Sequence, residues 1–161
     1  MQGKLRLLLL CGLLFSIPVY SGELQFIANG LTYHFDRETT RNENNWGAGF
    51  QYQFGRDRKY QPFVTASTFK DSYKNTSNYV GGGYQRRFNL NQISVSSHAD
   101  VGLMAFVMTR KDYRDGKPFL GALPFVSVGN EHFAVNFAYV PEFSFNESSL
   151  LFVQFMFNLY D

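Results

Sequence analysis

Along the final stretch, Leu150 to Asp161, the residues Leu151, Val153, Phe155, Phe157 and Leu159 fall on one parity, while Gln154, Met156, Asn158 and Tyr160 fall on the other. Side chains of a strand point alternately to opposite faces, so an unbroken apolar parity near the end of a chain is what the outer wall of a closed membrane β-barrel requires. A strand of this kind has lipid on one side and a lumen on the other. Asp161 departs from the pattern, since an aromatic last residue is commoner in such barrels.

The opposite end agrees with that reading. Lys4 and Arg6 precede the apolar run Leu7 to Phe15, and Ser16, Pro18, Ser21 and Gly22 follow it, the layout of a secretory signal cleaved near Ser21. The expected division is a cleaved signal peptide over residues 1–21 and an outer-membrane barrel domain over 22–161. The apolar run is too short to cross a bilayer as a helix. Cys11, the only cysteine, lies inside it and lacks the small residue that precedes a lipidated cysteine, so a mature chain without thiol or lipid anchor is expected. Removing Lys4 and Arg6 from the 15 basic side chains leaves 13 against 13 acidic ones. The basic balance therefore belongs to the leader and argues for no nucleic-acid partner.

About 140 mature residues make one domain, with no run of roughly 18 apolar residues that could form a membrane helix. The chain is nevertheless rich in rings, with 18 Phe and 10 Tyr. Reading by period two gives eight candidate strands: Leu24 to Asp36, Trp46 to Phe54, Tyr60 to Phe69, Asn78 to Phe88, Val95 to Thr109, Phe119 to Val128, Phe133 to Val140 and Ser148 to Tyr160. The expected fold class is all-β, an eight-stranded antiparallel transmembrane β-barrel, which is about the smallest usual size. Asp36 to Asn45 and Lys111 to Pro118 are long connections, whereas Gly55 to Lys59 and Gly129 to His132 are short. Long loops belong outside and short turns in the periplasm.

Orientation lets the lumen be read. Trp46, Ala48, Phe50, Tyr52 and Phe54 are assigned to lipid, and Gly47, Gly49, Gln51 and Gln53 to the interior. In the fifth strand Val101, Leu103, Ala105 and Val107 face out, leaving His98, Asp100, Gly102, Met104, Phe106 and Met108 inside. The sixth strand adds Phe119, Leu123, Phe125 and Ser127, the eighth Leu150, Phe152, Gln154 and Asn158, and the fourth Gly81 and Gly83. The outer half of the lumen is then apolar and the periplasmic half polar. A barrel of this size holds either packed side chains or one small ligand. Methionine and glycine beside rings suit a slender hydrocarbon, with Met104, Phe106, Leu123, Phe125 and Phe152 as its contacts, but the same residues also fill irregular cores.

At the outer mouth His34 closes the first strand, and Asp71 with Ser72 closes the third. Acyl transfer needs a base or nucleophile near an ester carbonyl whose chain is held in apolar surroundings. By themselves such residues are common in loops. His98 and His132 fall toward the periplasmic end and read as core or turn histidines.

The segments Tyr33-His34, Asn45-Trp46-Gly47-Ala48-Gly49-Phe50, Phe69-Lys70-Asp71-Ser72-Tyr73, Leu123-Pro124-Phe125-Val126-Ser127-Val128-Gly129 and Tyr139-Val140-Pro141 resemble, in order and spacing, the PagP family of outer-membrane lipid A palmitoyltransferases. The resemblance implies that His34, Asp71 and Ser72 are catalytic. It implies that a palmitoyl chain moves from a glycerophospholipid to lipid A in the outer leaflet of a Gram-negative outer membrane, by a monomer and without metal or organic cofactor. It further implies that Gly83, twelve residues after Asp71, sets the depth of the acyl slot, and that Pro124 and Pro141 border a lateral gate for lipid. Proline lacks the ladder donor, which is the physical reason a gate would carry it.

Three features depart from the family pattern. Few residues separate the expected cleavage site from the first strand, so the amphipathic helix that clamps the periplasmic side of other members is not expected. Asn29 and Asn45 stand where a second proline pair borders another opening, and the resemblance does not extend to that opening. Trp46 is the only tryptophan, leaving interface anchoring to Phe and Tyr. The working mechanism has His34 as base toward a lipid A hydroxyl or Ser72, with Asp71 orienting the imidazole. Asp71 and Ser72 would point to opposite faces of a continuing strand, so the chain must turn for both to reach His34. A lipid A deacylase or phospholipase, with water as acceptor, and a non-catalytic small barrel are the alternatives.

Overall fold

A computed structural model describes residues 22–36, 41–55, 58–90, 92, 97–142 and 148–159. The period-two segments become eight strands: β1 (Gly22–His34), β2 (Asn44–Phe54), β3 (Tyr60–Lys70), β4 (Thr76–Asn89), β5 (His98–Thr109), β6 (Phe119–Gly129), β7 (Phe133–Val140) and β8 (Leu150–Asn158). Each pairs antiparallel with the next, and β8 returns to β1 to close the barrel. Closure matters because lipid offers no partner to an unpaired backbone group. The leader expected over 1–21 and the ends expected at Val95 and Tyr160 lie outside the described residues. Elsewhere strand ends move slightly: β1 covers Gly22–His34 rather than Leu24 to Asp36, and Ser148 precedes β8 instead of opening it.

The two faces are inverted relative to a protein dissolved in water. Trp46 (64% exposed), Leu103 (59%) and Leu120 (80%) stand on the outer wall, while Gln53, Gln61 and Ser77 are wholly buried inside. An apolar band this continuous would be an aggregation surface in water and is a solvated surface in hydrocarbon. The inward parity expected for β2, β5, β6 and β8 is the one observed.

The lower lumen, at the β1 start, is held by a connected polar network. Arg87 donates from Nε and Nη2 to the two oxygens of Asp100 at 2.9 and 2.8 Å, and Gln85 donates to Asp100 at 2.9 Å. Gln85 reaches Gln53 and Gln61 as well, and His98 Nε2 lies 3.5 Å from Asp100 Oδ2. A buried ion pair tolerates desolvation only when its geometry is good and further hydrogen bonds support it, and here Gln85 adds one to Asp100. The lower half is not uniformly polar: Ile27, Ala134 and Met156 form an apolar cluster against the β1–β8–β7 wall. The upper half is apolar around Tyr79, Phe106, Phe119 and Leu123. Between the halves Phe63 and Phe125 meet edge to face, with ring centroids 5.6 Å apart. Long and short connections alternate less strictly than expected, since 71–75 at the upper rim is short and 90–97 at the lower rim is not.

One irregularity decides where His34 points. Glu23, Gln25, Ile27 and Asn29 face inward, an odd parity that would send His34 out to the wall. The register shifts between Asn29 and Leu31 against both neighbours, so that Thr32 and His34 face inward instead. A bulge adds one residue and re-aims every side chain beyond it. Gly30 fits there because a Cβ at that position would lie 2.8 Å from the Phe155 ring.

Deleting Gly30 removes the extra residue and is expected to restore strict alternation with His34 still facing the lumen, since Asn29, Thr32 and His34 then fall on one parity. The shortened chain should still fold, seen as heat-modifiable gel mobility. Any chemistry that uses the lumenal His34 should therefore survive the deletion; a loss of roughly a hundredfold or more, as for removal of a general base, would show that the imidazole has left the lumen.

Candidate active site

His34 ends β1 with 3% of its surface exposed, and its Nε2 lies 3.0 Å from Ser72 Oγ. The pair comes together because the chain leaves β3 at Lys70 and turns. Asp71 and Ser72 therefore do not continue the strand, and the divergence expected of adjacent strand residues does not arise. Ser72 and Asp71 both border a lumen cavity of about 100 Å³, whose apolar walls include Met104, Phe106, Leu123, Phe125 and Phe152.

The structure does not bring the Asp71 carboxylate to the imidazole. Its Oδ1 accepts from the backbone N–H groups of Tyr73 and Asn75, both at 2.9 Å, and its Oδ2 accepts from the Ser77 hydroxyl at 2.9 Å. The Asp71 backbone is tied into the same turn, through Asp71 N to Asn75 O at 2.9 Å and Lys74 N to Asp71 O at 3.0 Å. Lys74 takes a left-handed conformation there (φ 64°), which side chains other than glycine adopt at a cost. Asp71 is thus the hub of the β3–β4 turn, and it holds Ser72 in place rather than His34.

Two asparagines assigned no role at this site from the sequence complete the arrangement. Asn42 donates from its side chain to Asp71 O at 3.0 Å and from its backbone to Ser72 O at 2.9 Å. Asn45 donates to Lys70 O at 2.6 Å. The β1–β2 connection is thereby stitched to the turn bearing Ser72. No spacing in the sequence signals these contacts, because each is a short-range polar bond between segments far apart in the chain. Arg41 hydrogen-bonds the Ser148 hydroxyl, joining the same connection to the one between β7 and β8.

The proline positions coincide with a break in the wall. The β6–β7 ladder runs from Gly129↔Ala134 to Phe125↔Ala138 and stops, although β7 remains paired with β8 as far as Val140↔Leu150. Above that point Phe119 to Pro124 pair, among the described residues, with β5 alone. Pro124 stands at the end of the ladder and Pro141 immediately follows β7. Leu150 is also the β8 partner of His34, so the break is two strands from the imidazole, about 10 Å. On the other side, β1 and β2 stay joined to the rim through Leu31↔Asn44 and the bond from Thr32 N to Glu43 O at 2.9 Å.

Gly83 faces the lumen, but the space beside it is taken. A Cβ there would lie 2.9 Å from Phe63 Cζ and 2.1 Å from the Leu103 carbonyl oxygen. What crosses the lumen at this depth is the Phe63–Phe125 pair. His98 joins the Asp100 network, and the backbone of His132 donates to Asn130 Oδ1 in the β6–β7 turn.

Comparison with known proteins supplies the family. The model of the family described as "Antimicrobial peptide resistance and lipid A acylation protein PagP" matches residues 19–156. A protein of Methylobacillus flagellatus named lipid A acyltransferase PagP is 30% identical over 140 residues, 84% of this chain and 70% of that one. Proteins of the same name from Bordetella pertussis and Legionella pneumophila are 28% and 29% identical over 70% of this chain, and the match spans 60% and 59% of their lengths. The chain belongs to the PagP family of lipid A acylation proteins.

Proposed function

We propose that this protein transfers a palmitoyl chain from a glycerophospholipid to lipid A in the outer leaflet of an outer membrane. The observation that carries this reading is the His34–Ser72 pair, 3.0 Å apart, whose Ser72 borders a cavity with apolar upper walls. A base beside a hydroxyl, above a hydrocarbon slot, is what acyl transfer between two lipids needs.

In this mechanism the donor enters sideways through the break between β6 and β7, and its acyl chain lies among Phe106, Leu123, Met104 and Phe152. His34 Nε2 takes the proton of the lipid A hydroxyl as that oxygen attacks the ester carbonyl. The bond to the glycerol oxygen then breaks, the proton returns to that oxygen, and a lysophospholipid leaves. Ser72 holds the imidazole by its hydrogen bond and shares the region of the carbonyl, so the steps balance without an acyl-serine. Asp71 acts at one remove, by keeping Ser72 where His34 can meet it. Gly83 and Phe63 together form the floor against which the end of the chain rests.

Mass spectrometry of lipid A from cells expressing the wild-type chain should show the gain of one palmitoyl group, and cells expressing His34→Ala should show none while the barrel remains heat-modifiable. Unmodified lipid A with folded wild-type protein, or full modification by a folded His34→Ala protein, would remove this reading. Free fatty acid without a heavier lipid A would instead identify a hydrolase.

Two substitutions at the floor should move chain-length preference in opposite directions. Gly83→Met places its side chain against Phe63 and shortens the preferred acyl chain, whereas Phe63→Ala deepens the slot and admits longer ones. An unchanged donor profile in both would refute the floor.

Asp71→Ala strips three donors of a buried acceptor and should lower unfolding free energy by about 3 kcal/mol, against about 1 kcal/mol for Ser77→Ala. Urea titration of the barrels in lipid vesicles measures the difference.

A further inference from the structure

The imidazole of His34 is only half accounted for. Nε2 has Ser72, but Nδ1 is buried without a hydrogen-bond partner among the described residues. For a general base this matters beyond stability, because the partner of one ring nitrogen decides where the single proton of neutral histidine sits. With nothing to accept at Nδ1, the proton is as well placed on Nε2, and the ring then donates toward Ser72 when it should be drawing a proton away.

The acid that the family pattern suggests for this task, Asp71, is committed to Tyr73, Asn75 and Ser77. A different carboxylate approaches. Glu43 Oε1 lies 3.9 Å from His34 Nδ1, so a closure of about 1 Å brings it into hydrogen-bond range. The backbone at Glu43 is already fixed beside β1 by the bond from Thr32 N to Glu43 O, and its neighbours Asn42 and Asn45 tie that segment to the Ser72 turn. The side chain itself is 59% exposed, so a change of rotamer meets little obstruction. Arg41, from the same connection, is the other charge acting on the ring, and its guanidinium is directed to Ser148.

We propose that Glu43 is the positioning residue for His34. Its carboxylate accepts Nδ1–H, which leaves Nε2 unprotonated and aimed at Ser72 and the acceptor hydroxyl, and it stabilises the imidazolium formed when Nε2 takes that proton. Glu43 touches no substrate and acts only through His34. The inference rests on His34 being the base of the proposed transfer, and it assigns to the β1–β2 connection a role that the Asp-Ser motif would lead one to give to Asp71.

The test uses the full barrel in detergent micelles, with two readouts on the wild type, Glu43→Ala, Glu43→Gln and Glu43→Asp. The first is the tautomer of His34 by ¹⁵N NMR, assigned among the three histidines with single substitutions of His98 and His132. The second is steady-state acyl transfer with a phospholipid donor. Wild type should show Nδ1–H, and Glu43→Ala a mixture of tautomers. For Glu43→Ala, kcat should fall about tenfold with donor KM changed less than about twofold, as expected for an effect confined to the transition state. Glu43→Asp should recover part of kcat. Glu43→Gln, which accepts but carries no charge, should keep the tautomer and recover less.

A Glu43→Ala protein with wild-type tautomer, or an active one with wild-type kcat, overturns the assignment while leaving the transferase reading intact. A tautomer that follows Glu43 in a barrel with no transfer activity in any form upholds the contact and removes the transferase reading. The two failures are therefore distinguishable.

Discussion

Hydrocarbon cannot hydrogen-bond, and everything else in this molecule follows from how its backbone copes with that. Eight antiparallel strands close on themselves so that almost every ladder group has a partner within the wall. The cost of leaving such a group unpaired in lipid is several kcal/mol, so each departure from a complete ladder calls for a reason. Two departures stand out: the register shift in β1 at Gly30, and the end of the β6–β7 ladder above Phe125. The first aims a histidine into the lumen. The second opens the wall two strands away from it. Both lie where lipid chemistry would need them, and the rest of the barrel is regular.

The lumen divides its labour by dielectric. Below, Arg87, Asp100, Gln85, Gln53 and Gln61 satisfy one another and fix the cross-section of the barrel with charge and amide hydrogen bonds. Above, rings and methionine line the cavity, which continues downward among Gln53, Gln85 and Asp100. The Phe63–Phe125 pair separates the two regions. Glycine in the adjoining strand contributes less open space than its missing side chain suggests, because Phe63 has moved into it.

Around the mouth, polar contacts serve position more than charge. Asp71 gathers three donors into the turn that carries Ser72, and Asn42 and Asn45 fasten the neighbouring connection to it. The described parts of these connections are crosslinked to one another, which holds the Ser72 hydroxyl near the His34 imidazole. Glu43, held by its backbone and exposed in its side chain, is the carboxylate that approaches His34 Nδ1 among the described residues.

Much of this was legible in the chain itself. Alternation from Leu150 onward, and in β2, β5 and β6, determined the strands, their inner and outer faces and hence the class of fold, because period two is a local property of the backbone and lipid contact leaves one parity uniformly apolar. The motifs around His34 and Asp71-Ser72 marked the mouth for the same reason, each being written in contiguous residues. Tertiary structure alone decided which way His34 faces, since strict alternation would have sent it outward and only pairing with β2 and β8 reveals the shifted register. It also decided the partners of Asp71, the blocking of Gly83 by Phe63 and the approach of Glu43 to the imidazole. The Gly83 and Glu43 contacts cross between strands or connections, and even the turn-local partners of Asp71 depend on the path the chain takes after Lys70. Periodicity records which face a side chain takes; only the closed barrel determines what it meets there.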